Sequence, residues 1–222
     1  KMNADGTNQQ RLTNTPQSES FAVWSPNGQR ILFGKFINAS TRQIWVMNSD
    51  GTNETLISES TDVNVPYGWS PDGQKILFLK GPNNASRIWT MNADGSNKIQ
   101  LTTPPGLDGY PNWSPDGTKI AFGRCITFGP CDVYTMNTDG SNQINLTAGN
   151  PNDDDVPSWT PDGNRIVYGS QTTPSDFNIY LMNADGSNKQ ALTNAVPPNS
   201  FTPDILFPVS PDGIKVALIR RG

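Results

Sequence analysis

Five copies of two short motifs, held in phase along 222 residues, constrain this chain more than anything else in it. A Trp-Ser-Pro-Asp-Gly motif begins at Trp24 (with Asn27 for Asp), Trp69, Trp113, Trp159 (with Thr160 for Ser) and Val209, at steps of 45, 44, 46 and 50 residues. A second motif, Met-Asn-x-Asp-Gly-[Ser/Thr]-Asn, begins at Met2, Met47, Met91, Met136 and Met182, at steps of 45, 44, 45 and 46. Such phasing requires one structural unit, repeated, whose copies bury their apolar faces against each other.

Each unit reads as four strands, a to d. Strand a runs into the Trp and stops at Ser-Pro-Asp-Gly, which carries type I turn residues and a glycine for a left-handed position. Strand b is a short apolar run, for example Ile76-Leu77-Phe78 and Ile120-Ala121-Phe122. Strand c is aromatic and β-branched, as in Ile44-Trp45-Val46 and Val133-Tyr134-Thr135, and enters a tight Asp-Gly turn. Strand d is short and polar and ends in Leu-Thr at Leu12, Leu101, Leu146 and Leu192, as expected of an outer edge. Four strands in each unit of about 40–45 residues is the period of a propeller blade.

The fold class is therefore all-β, a β-propeller of four-stranded antiparallel blades forming one domain over residues 1–222. The expected blades are 17–58, 63–103, 107–148, 153–194, and a composite of 204–222 closed by 1–14. A sixth blade outside the sequence is the alternative. The chain opens inside a repeat at Lys1, so it is expected to be a monomeric domain of a larger protein.

The unit W-S-P-D-G…I-Y-x-M-N-A-D-G-S-N…L-T closely resembles the repeat of TolB-like β-propellers. That family includes the periplasmic TolB protein, the propellers of tricorn and prolyl-oligopeptidase-like peptidases, and some polysaccharide lyases. The resemblance implies the fold and is nearly silent on function. Two departures stand out: five repeats rather than six or more, and no companion domain within the chain.

Composition narrows the function. Formal charge is −4 with no basic block, which argues against a nucleic-acid surface. No apolar run is long enough to insert into a membrane. The chain has no histidine, so neither a Ser-His-Asp nor a Cys-His centre can be assembled within it. The reading is of a non-enzyme.

Strand order puts the short, uniform a–b and c–d turns on one face and the variable b–c and d–a loops on the other, where individuality resides. Five residues before each motif start stand Glu19, Asn64, Asp108, Asp154 and Asp204. If they point at the axis they form an oxygen-rich ring at the channel mouth, suited to a basic group or to Ca²⁺ at Asp108, Asp154 and Asp204. The alternative is that each acid caps its own turn. Phe21, Tyr67, Tyr110 and Phe207 lie beside them as rim aromatics that either hold a partner or pack loop on loop. The motif tryptophans read as blade-to-blade core, and Asp153-Asp154-Asp155 as a solvated acidic run.

Cys125 and Cys131 flank one b–c loop and are placed for a disulfide, which points to a periplasmic or extracellular location. The function expected is a non-catalytic, exported scaffold that holds a protein or carbohydrate partner on the b–c/d–a face. An accessory or gating propeller of a larger hydrolase or lyase, and a lectin, are the alternatives.

Overall fold

The computed structural model describes residues 1–59, 61–82, 85–126, 129–173, 176–193, 209, 210 and 215. They form four antiparallel sheets of four strands each, every sheet ordered as its strands follow in the chain. The first blade holds β1 (Ser18–Trp24), β2 (Arg30–Asn38), β3 (Thr41–Asn48) and β4 (Thr55–Leu56). The second holds β5 (Asn64–Trp69), β6 (Lys75–Lys80), β7 (Arg87–Asn92) and β8 (Ile99–Gln100). The third holds β9 (Leu107–Trp113), β10 (Lys119–Cys125), β11 (Cys131–Asn137) and β12 (Ile144–Asn145). The fourth holds β13 (Asp153–Trp159), β14 (Arg165–Thr173), β15 (Asp176–Asn183) and β16 (Gln190–Ala191).

The two motifs are the turns that make these sheets possible. In each a–b turn the first residue's amide donates to a carbonyl five residues on, as Ser70 does to Lys75 O at 2.8 Å, and its hydroxyl accepts from the Lys75 amide at 2.9 Å. In each c–d turn an Asp accepts from the amide and hydroxyl two residues on, as Asp94 does from Ser96 at 2.9 and 2.6 Å. The Asn that closes the turn is left-handed, with φ of 52, 54, 50, 52 and 54° at Asn8, Asn53, Asn97, Asn142 and Asn188. Asn tolerates that conformation better than other side chains, which accounts for its recurrence.

Strand b reads as an unbroken apolar run because blades cover both of its faces: Ile76, Leu77, Phe78 and Leu79 are all buried. The motif Trp supplies much of this cover. Trp69 of the second blade packs with Leu32, Ile44 and Val46 of the first and donates its Nε1–H to Val23 O at 3.4 Å. Trp159 does the same toward Ala121, Val133 and Leu146, bonding Asn112 O at 3.3 Å. Trp24, with no earlier blade among the described residues, is 49 % exposed.

A second joint corrects the expectation that Leu-Thr ends an exposed edge. Strand d is two residues long, and the Leu that follows is buried at Leu101 and Leu146 beneath the next blade. There the c–d turn glycine presses on the Leu carbonyl: a Cβ on Gly140 would lie 2.6 Å from Leu101 O, and one on Gly95 2.6 Å from Ile57 O. The neighbouring Thr caps strand c, its hydroxyl accepting from the Ile88 amide at Thr102 and from the Val133 amide at Thr147, each at 3.0 Å.

Each end of the chain makes one of these two joints. Leu12 packs on Ile31, Phe33 and Met47, and Gly51 meets its carbonyl, so residues 1–13 stand to the first blade as each blade stands to the next. No strand forms among residues 1–13. Val209 packs on Val156, Val167 and Ile179, and Ser210 and Lys215 make the usual a–b turn bonds. The pairing of 204–222 with 1–14 as a composite blade lies outside the described residues.

Two glycine substitutions separate the joint from backbone strain. Gly149 is left-handed (φ +82°) in open space, so Gly149→Ala is expected to cost about 1–2 kcal/mol. Gly140 (φ +87°) carries the same strain plus the Leu101 clash, so Gly140→Ala should cost about 1–3 kcal/mol more. Urea unfolding of both checks this; equal costs would show that the joint tolerates a methyl group.

Candidate functional site

Strand a of each blade is bulged a few residues before its Trp, and the bulge builds the site. Register breaks between Ser20 and Val23, Pro66 and Gly68, Ala121 and Gly123 opposite β9, and Asp155 and Ser158. Phe21, Tyr110 and Val156 take φ of 56, 50 and 56° there, which for bulky side chains is a costly conformation. The proline ring at Pro66 forbids a positive φ, and in that blade the extra residue is Tyr67.

The bulges turn aromatic side chains toward a shared cavity of about 440 Å³. Phe21, Tyr67 and Tyr110 line it in sequence, with ring centroids 6.3 Å apart for Phe21–Tyr67 and 6.4 Å, edge to face, for Tyr67–Tyr110. Tyr110 continues the run onto Val156 of the fourth blade. Three of the four rim aromatics named from the sequence thus meet. Phe207 lies outside the described residues, as does Asp204.

Of the residues five before the Trp, Asp108 is the one among the described residues that lines this cavity. Each side chain is held within or beside its own blade, opposite a strand b residue: Glu19 pairs in register with Lys35, Asn64 with Lys80, Asp108 with Arg124, Asp154 with Ser170. Where that residue is basic it forms a brace. The Arg124 Nε donates to Asp108 Oδ1 at 2.6 Å while its guanidinium lies 5.1 and 5.2 Å from the Phe122 and Tyr134 rings. Lys35 is salt-bridged to Glu54 and, at 3.9 Å, to Glu19, with its Nζ 4.4 Å above Trp45. Glu19 also accepts from the hydroxyls of Thr13 and Thr15. Lys80, facing an amide, turns to Glu59 and Asp62 at 3.6 and 3.2 Å and sits over Trp89.

Asn64 donates to the carbonyls of Arg42 and Asp62 at 3.3 and 3.2 Å. Among the described residues Asp154 has no basic partner; burial raises its pKa, opposed by hydrogen bonds from Ser170 and Asn150, the latter at 2.6 Å. The brace was legible in the sequence. The residue two beyond the strand b aromatic is Lys35, Lys80, Arg124 or Ser170, in phase with the acids. For calcium the consequence is direct: Asp108 is already neutralised by Arg124, and Asp108 and Asp154 do not share a ligand cluster among the described residues.

Sequence reasoning took Asp153-Asp154-Asp155 for a solvated run; Asp153 is exposed, but Asp154 is buried and Asp155 half-buried, and Asp153 and Asp155 line the cavity. Asp153 Oδ1 accepts from the Cys131 amide at 3.0 Å. Asp155 reaches across to the third blade and fills the space that a side chain at Gly123 would need, its Oδ1 1.6 Å from the ideal Cβ position. Burial there pushes its carboxyl up to about 7, with the neighbouring Asp153 charge adding to the rise and the Val156 amide, 2.7 Å away, opposing it. Beside it the Cys125–Cys131 disulfide closes the b–c hairpin of the third blade, the two cysteines directly opposite in register. Among the described residues, no helix is long and apolar enough to cross a membrane.

The model of the TolB beta propeller domain family matches residues 1–219. The chain belongs to the TolB beta propeller family. No curated protein matches it by sequence. The putative TolB of Agrobacterium tumefaciens superposes with a TM-score of 0.69 at 21 % identity, over 94 % of this chain and 92 % of that one. TolB of Acinetobacter baumannii gives 0.71 at 18 % over 90 % of this chain and 48 % of its own. An oligogalacturonate lyase in complex with manganese gives 0.65 at 19 %, over 85 % and 56 %. At these identities the structures share the fold of this TolB-family chain.

The brace makes a direct prediction. Arg124→Met leaves Asp108, 1 % exposed, with an unpaired buried charge, and should cost about 3–5 kcal/mol. Adding Asp108→Asn should recover most of it. Urea unfolding of the single and double variants checks this; a loss below about 1 kcal/mol for Arg124→Met would mean that the pair is no brace.

Proposed function

We propose that this TolB-family propeller is a non-catalytic binding domain that takes a protein or glycan partner on the face carrying the b–c and d–a loops. The observation that carries the reading is the run of Phe21, Tyr67 and Tyr110 around an open cavity, held there by strained bulges. Backbone strain is retained where a structure gains by it, and clustered aromatics supply most of the energy of many interfaces. The c–d turns, by contrast, repeat the same bonds in every copy, as scaffold does.

The domain works in an oxidising compartment, periplasmic or extracellular, where the Cys125–Cys131 bond persists. The likeness to an oligogalacturonate lyase supports a second reading, an accessory propeller of a larger enzyme, in which the same face would gate access to a neighbouring domain.

A photocrosslinking amino acid at Ile126, on the b–c side, and another at Gln74, on the a–b side, test the face. Crosslinks to an envelope component are expected from position 126 and not from 74, and Tyr67→Ala with Tyr110→Ala should reduce them at least about tenfold at a temperature where both variants remain folded. A glycan array separates carbohydrate from protein. Crosslinks from position 74 alone would overturn the reading.

A further inference from the structure

We propose that the axial cavity receives an organic cation, an alkylammonium or guanidinium group, with Asp155 and Asp153 meeting the charge and Tyr110, Tyr67 and Phe21 flanking its apolar stem. The inference rests on the reading of this face as the binding face and names what that face takes.

The cavity has the size of a small-molecule site, and its charges are unbalanced. Asp108, Asp153 and Asp155 line it, against Arg42 as the cationic side chain among the described lining residues. Arg42 is turned onto the Phe36 ring, 4.5 Å away. Asp108 is held at one oxygen by Arg124, while its Oδ2 is buried and makes no hydrogen bond. A buried acceptor left unmatched is costly, and a donor in the cavity would relieve it. Asp155 faces the cavity between two blades with Asp153 beside it, and no basic residue among the described ones is paired to either.

The kind of cation follows from what surrounds these carboxylates. A calcium ion needs six to eight oxygen ligands, and apart from its carboxylates, Ser86 and Gln171 the cavity is walled mainly by aromatic and aliphatic side chains and a disulfide. A singly charged organic cation needs fewer oxygen ligands than calcium and is satisfied by two carboxylates and aromatic faces, which attract it through the ring quadrupole. The Asp155 carboxyl also has reason to bind it. The burial that raises its pKa to about 7 is a penalty on the charged form, and a bound ammonium group offsets that penalty directly.

Titration calorimetry of the intact domain tests this with n-butylammonium, arginine methyl ester, spermidine and the capped peptide acetyl-Gly-Lys-Gly-amide. n-Butanol and calcium chloride serve as the uncharged and inorganic comparisons. The organic cations are expected to bind one per domain and the two comparisons not. Asp155→Asn, which keeps an acceptor for the Val156 amide, and separately Asp153→Asn should each weaken binding about tenfold, with melting temperatures reported alongside. Tyr110→Leu should weaken the cations with longer stems more than the short ones. Tighter binding of the peptide than of spermidine points to a protein side chain as the source, and the reverse to a free polyamine.

Cations that fail to bind at about 10 mM, or that bind both Asp variants as well as the parent, overturn the proposal. Those results leave the face assignment standing if position 126 still crosslinks. Amine binding lost in both Asp variants, with no crosslink from position 126, would uphold the cavity and reject the partner on its rim.

Discussion

Everything in this molecule depends on each blade being finished by the next. A four-stranded sheet of this size leaves both faces of its strand b apolar, and no blade covers its own. The cover comes from the following strand a, whose Trp lies on the preceding sheet and bonds its backbone, as Trp69 and Trp159 do. At the outer rim the joint is made by absence: Gly95 and Gly140 allow a turn to approach a carbonyl that any Cβ would strike. One joint is hydrophobic and one steric, and together they set blade against blade without long-range sequence specificity. This is the nearest-neighbour logic of repeat proteins, in which stability accumulates along the array.

That logic explains what could be read in advance. Turns, strand order and blade-to-blade tryptophans follow from local chemistry repeated five times, so the sequence shows them plainly. The glycine joints were missed because a close approach between neighbours leaves no local signature beyond a turn glycine. Leu101 and Leu146 accordingly looked like edge residues. The acids of strand a were read as a ring because periodicity reveals equivalence and not direction. A residue in a strand points to one side or the other, and one step of register exchanges axis for interior. The bulges supply that step. They leave Asp154 buried in its blade, hold Asp108 buried at the cavity wall, and turn Asp153, Asp155, Phe21 and Tyr110 to the cavity.

The consequence is a division of labour within a single strand. Positions that repeat chemically, such as the acid opposite Lys35 or Arg124, hold the sheet together. Positions that vary from blade to blade, Val65, Gly109 and Asp155 among them, line the cavity. Blade four shows how far the variation can go, because Ser170 removes the brace and Asp155 places a second carboxyl against the third blade. Its carboxyls are the ones whose pKa values rise with burial. Function in a repeat fold belongs where the repeat is broken, and here the breaks converge on the aromatic cavity.

Hydrogen exchange of Trp159→Ala tests the central claim, that blades are stable only as neighbours. Trp159 joins Ala121, Val133 and Leu146 of the third blade to Ile166, Tyr168 and Met182 of the fourth. Its loss, a deletion of the kind that costs about 3–5 kcal/mol, should lower protection in β10 and β11 as much as in β14. Protection lost from the fourth blade alone, with the third unchanged, would contradict this and show that each blade holds its own core.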